Sequence, residues 1–186
     1  VEIDRALNLV IPVQRPDGAI YVHTTPLPFA VFQRYFKVIA RTFAEVHAAG
    51  LGAAAGPRVA GMMLESVARE MGVWDDPRPR DGQSADEVTP GVATGLMSEI
   101  RRLSNALVLT STGWEVLPLQ VAMDRKLFTA EEVSRVEGAV VFFMASCAML
   151  PPEDLPATIG AVCYLQNAVS TSSTSTEYAA SLTTPT

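Results

Sequence analysis

Residues 136–186 contain no lysine or arginine, and the whole chain of 186 residues holds only two cysteines and two histidines. Each shortage excludes something. Without a side-chain cation, the last stretch cannot hold a phosphate by charge. The net charge of −6 and pI near 4.9 argue against a nucleic-acid backbone as the main partner. Cys147 and Cys163 sit in the apolar runs FFMASCAML and IGAVCYLQ with no C-x-x-C spacing. They give no disulfide framework and read as buried free thiols. His23 and His47 have no cysteine or carboxylate at metal-ligand spacing, and read as ordinary surface or half-buried side chains. The longest apolar run, Ala139 to Leu150, is broken only by Ser146 and falls short of the ~20 residues that cross a bilayer. The opening VEIDRALNLV has no basic-then-apolar profile. A soluble, intracellular protein is expected.

Charge of both signs is also scarce. Charged residues make up 18% of the chain and mean hydropathy is +0.22, against about 25% charged in an average soluble domain. Too few charges remain to coat a monomer, so some apolar surface should meet another protein. At 48% hydrophobic, the chain can bury one core without disulfide or metal.

The N-terminal pattern is that of a β-hairpin over residues 7–24. LNLVIPV and AIYVHT flank Arg15-Pro16-Asp17-Gly18, a type I turn signal. Pro12 makes the first strand an edge strand or bends it. Helical spacing dominates the rest. Phe29, Phe32, Phe36, Ile39, Phe43 and Val46 form an apolar stripe on a helix from Pro28 to Gly50 or Gly52. A second helix is predicted from Pro57 to Gly72, and a third from Gly91 to Leu107 with Val92, Leu96, Ile100, Leu103 and Leu107 inward. A turn at Ser111-Thr112-Gly113 and a short helix over 119–126 follow. Thr129 and Glu132 form a capping box that opens a helix running to Leu150, and a last helix spans 155–169. Residues 75–90, with three prolines and no apolar period, read as an exposed loop. Residues 170–186 hold 11 Ser or Thr in 17 positions and read as a flexible tail. The expected fold is mainly α: a bundle of five to six helices over residues 1–169, with an N-terminal hairpin and a flexible Ser/Thr-rich tail.

Catalytic and cofactor motifs do not emerge. There is no G-x-S-x-G elbow and no phosphate loop. Gly50, Gly52 and Gly56 are spaced G-x-G-x-x-x-G after a helix, which reads as a helix–helix connection. The acid pairs Asp75-Asp76, Asp86-Glu87, Glu131-Glu132 and Glu153-Asp154 fall in a loop or at helix entrances, where carboxylates are favourable without chemistry. Arg101-Arg102 reads as a solvated helix face. No catalytic, cofactor-binding or metal residue is assigned, and no enzyme activity is expected. Met62 stands off the apolar face that carries Met63, and is the candidate for an exposed partner contact.

Ser175-Thr176-Glu177-Tyr178-Ala179-Ala180-Ser181-Leu182-Thr183-Thr184 resembles the end of the tail assembly chaperones of long-tailed, siphovirus-like bacteriophages. Gly95-Leu96-Met97-Ser98-Glu99-Ile100-Arg101-Arg102-Leu103 and the opening VEIDRALNLVIPV are similar to products of the same kind. The resemblance implies a helical binding protein of the host cytoplasm that coats the tape-measure protein and helps recruit tail-tube subunits. It makes Glu177, Tyr178, Ala179, Ala180, Ser181 and Leu182 the segment that contacts a partner. A homo-oligomer is compatible with the charge shortage. The alternative is a component that stays in the virion, such as a head–tail joining or tail-completion protein.

Overall fold

The computed structural model describes residues 7–16, 18–75 and 89–183. Strands β1 (Asn8–Arg15) and β2 (Gly18–Thr24) form the hairpin that the alternation predicts, in register from Leu9↔Thr24 to Arg15↔Gly18. Asp17 of the expected turn lies outside the described residues, as do residues 76–88 of the expected loop. Leu9, Ile11, Val13, Ile20 and Val22 face one side of this hairpin and enter the main core.

The hairpin does not stand alone, and this overturns the helical-bundle expectation. The third predicted helix is only α3 (Leu96–Arg102); from Ser104 the chain becomes strand β3 (Ser104–Thr110), turns at Ser111-Thr112, and returns as β4 (Gly113–Pro118). Leu103 and Leu107 fit a four-residue period by coincidence. SNALVLT alternates as well, and pairing with β2 selects the extended form. A fifth strand, β5 (Val169–Thr171), adds to the other side of β1. The antiparallel sheet has the order β4-β3-β2-β1-β5, and the fold is α+β. β5 pairs only with residues 8–10, so Pro12 lies where β1 has no second neighbour.

The remaining helices are α1 (Phe29–Ala48), α2 (Gly52–Glu70), α4 (Leu119–Asp124), α5 (Ala130–Met149), α6 (Leu155–Gln166) and α7 (Ser175–Ser181). The Thr129–Glu132 capping box opens α5, and its second half is buried all round, from Gly138 to Ser146. Helix α2 begins five residues before Pro57 and absorbs most of the stretch expected to be a flexible connection. It crosses α5 at two glycines: a Cβ on Gly138 would stand 2.7 Å from the Pro57 carbonyl oxygen, and one on Gly61 would stand 3.5 Å from Gly138. The close crossing requires Gly138 to lack a side chain, whereas a methyl on Gly61 would make an ordinary contact.

Helix α1 keeps Ile39 and Val46 of its predicted stripe buried, with Phe32 and Phe43 packed on the core, and departs from it at Phe29 and Phe36. Tyr35, Val38, Ile39, Thr42 and Val46 are buried, whereas Phe29 is 69% and Phe36 47% exposed. Phe29 and Phe36 lie outside, each edge-on or tilted to half-buried Phe32, with centroids 6.4 and 5.6 Å away. Burial of Tyr35 and Val38 turns these two rings away from the core.

The segment expected as a flexible tail folds. After β5, Thr174 and Glu177 make a second capping box, which starts α7. Helix α7 lies on the sheet face opposite the main core, against β3 and β4. Buried Val10, His23 and Leu107 belong to that face, with Tyr21 and Trp114 around them. Composition misled here, because a β-sheet with two apolar faces needs a second cover and these small polar residues supply it.

Candidate functional site

Helices α2, α3 and α5 leave a groove of about 360 Å³ between them. Met62 and Glu65 line it from α2, Met97 and Arg101 from α3, and Val133 and Glu137 from α5. Trp74, which follows α2, stands at its wall, with the Arg69 guanidinium 5.2 Å from the ring centroid. Gly61 lines the groove, and Gly138, which must lack a side chain beside the Pro57 carbonyl, adjoins Glu137.

Charges at the groove are satisfied within the chain. Arg101 Nε donates to Glu137 at 2.7 Å, and Arg69 pairs with Glu65 at 2.7 Å. Arg102 pairs with Glu99 at 2.8 Å. The Arg101-Arg102 dipeptide is thus divided between two carboxylates and does not converge on one anion. What the groove offers a ligand is mixed: exposed Met62 and half-buried Trp74 and Val133 over a nearly buried Met97, beside Ser134 and the paired Glu65, Arg101 and Glu137. Among the described residues, no group of three histidine, cysteine or acidic side chains is placed to hold a metal ion.

Met62, singled out in the sequence, is 59% exposed and sits in this groove. The other six candidates lie elsewhere, five on α7 and Leu182 at its C-cap, at the opposite face of the sheet. Glu177 is committed to the cap, its carboxylate accepting from the Thr174 backbone N–H at 2.8 Å, which holds it below the ordinary carboxylate range. Tyr178 is half-buried against Tyr21, with centroids 6.2 Å apart, and Ala179 is buried. Leu182 is half-buried. Ala180 and Ser181 are exposed, and the Ser181 hydroxyl donates to the Tyr178 carbonyl. Met97, Trp74 and Val133 were missed. Met97 neighbours the α3 positions read as core, and nothing in a sequence says that three helices splay at that point.

Two expectations about scarce residues need correction. His23 is 1% exposed, neither surface nor half-buried; its Nε2 lies 2.8 Å from the Ser173 carbonyl, to which the Asn8 side-chain amide also donates at 3.0 Å. These two side chains pin the turn between β5 and α7. The thiols are free but only half-buried. Burial still pushes Cys147 up to about 12 and raises Cys163, where hydrogen bonding from Ser170 opposes the shift.

Among the described residues, no helix is long and apolar enough to cross a membrane. No protein-family model matches this chain, and neither does any curated protein or solved structure.

Proposed function

We propose that this chain is a binding protein of the tail-assembly-chaperone kind, which holds an amphipathic helix of a tape-measure protein while tail-tube subunits assemble. The observation that carries this reading is the groove at Met62, Met97, Trp74 and Val133, whose rim charges are already paired. An amphipathic helix can lay an i, i+3, i+4 apolar face into such a groove, and methionines adapt to a partner of variable sequence. Flexible recruitment by a disordered tail drops out, because residues 169–181 form β5 and α7. Tube subunits would meet the outer face of α7 at Glu177, Ala180 and Ser181.

Co-expression with a tape-measure protein tests the reading. Wild-type chain should co-purify with it, and Met62→Glu should lose most of the partner while keeping the same helical signal, since Met62 is largely exposed. Equal recovery with both chains would refute the assignment to this groove. Mass spectrometry of finished particles separates the chaperone, which leaves, from a virion component, which stays.

A further inference from the structure

A second apolar surface lies away from the groove, on α6. This helix, LPATIGAVCYLQ, buries only Ile159 and Val162 fully. Its outward positions Ala157, Gly160 and Tyr164 recur at helical spacing on one side, with Leu165 beside them. Tyr164 is 85% exposed, and Leu165 and Val169 are also exposed. A methyl group on Gly160 would meet nothing within 4 Å. A mid-helix glycine weakens a helix relative to alanine. Gly138 is explained by its close approach to the Pro57 carbonyl; among the described residues no neighbour explains Gly160.

The charge distribution selects the occupant. From Leu155 to Thr176 there is no Asp, Glu, Lys or Arg, in a chain of net charge −6. Two copies repel wherever their acidic surfaces approach, and α6 is a face on which they can meet without juxtaposing like charges. A charged partner would have its own charges desolvated there with no counter-ion. We infer that α6 is a self-association surface, on which two copies pack α6 against α6 about a twofold axis, crossing at Gly160 with Tyr164 covering the partner helix. Such a contact is isologous, so an uncharged helix is complementary to its own copy. Helices of 12 residues cover a small area, at the low end of specific interfaces, so a micromolar dimer is expected. This inference does not depend on the chaperone reading.

Sedimentation equilibrium of the chain decides it. Between about 1 and about 200 µM, the weight-average mass should climb from the monomer value toward twice it; the monomer is 19.9 kDa. Tyr164→Glu should weaken the dimer by about tenfold or more, because it buries an unpaired carboxylate against the partner's apolar helix. Gly160→Leu, which adds bulk but no charge in open space, should also leave a folded monomer. A wild-type chain that stays at 19.9 kDa throughout overturns the inference and leaves α6 to a different partner. An association that neither substitution weakens overturns it equally.

Discussion

Glu132 joins two parts of the molecule through one carboxylate. It accepts from the Thr129 backbone N–H at 2.8 Å and forms a salt bridge with Arg15 of the hairpin at 2.7 Å. The Arg15 hydrogen bond, assisted by the cap, holds its pKa below the ordinary 4.5. A depressed carboxyl contributes stability that is fully present above the unfolded value and is lost as pH falls through the folded value. Thermal melts of wild type should therefore drop as pH is lowered below about 4.5. Glu132→Gln should melt lower at pH 7, by about 1 kcal/mol or more for the combined cap and ion pair, and decline less steeply in acid. Parallel acid profiles for the two proteins would remove Glu132 from this role. At Phe36 the expectation is the reverse of a core position. Because the ring is 47% exposed, Phe36→Asp should stay folded and lose no more than about 1 kcal/mol in denaturant titration. Collapse of that variant would place the ring in the core.

At the scale of elements, the structure was legible where local chemistry decides and illegible where pairing decides. The two strands of the hairpin, the Thr129–Glu132 cap and the all-apolar half of α5 could be read directly. So could the exposure of Met62, but not the groove around it, which is made by three helices distant in sequence. Residues 104–118 were misread because one sequence satisfies two periods, and only β2 chooses between them. The C-terminal segment was misread because Ser/Thr-rich composition does not reveal His23 and Asn8 waiting for the Ser173 carbonyl. Removing residues 169–186 would uncover Val10 and Leu107, both buried on the second face. Losing that cover should cost about 3–6 kcal/mol, from two apolar side chains of about 1.5–3 kcal/mol each. The truncated chain should therefore melt far lower than wild type; an unchanged melt would mean that α7 contributes no more than a free tail does.

The whole molecule is a five-stranded sheet with most helices on one face and a short polar strap on the other. Its scarcity of charge goes with three exposed apolar features: the groove at Met62, the rings of Phe29 and Phe36, and the outer face of α6. Such features cost solubility in an isolated monomer and are the surfaces on which the proposed partners would dock. The most direct measurement is a calorimetric titration of the chain with a helical segment of a tape-measure protein at several temperatures. Saturable binding with a negative heat-capacity change, weakened about tenfold or more by Met62→Glu, is the expected result. No binding, or binding that Met62→Glu leaves untouched, would contradict the claim that this groove is where the protein acts.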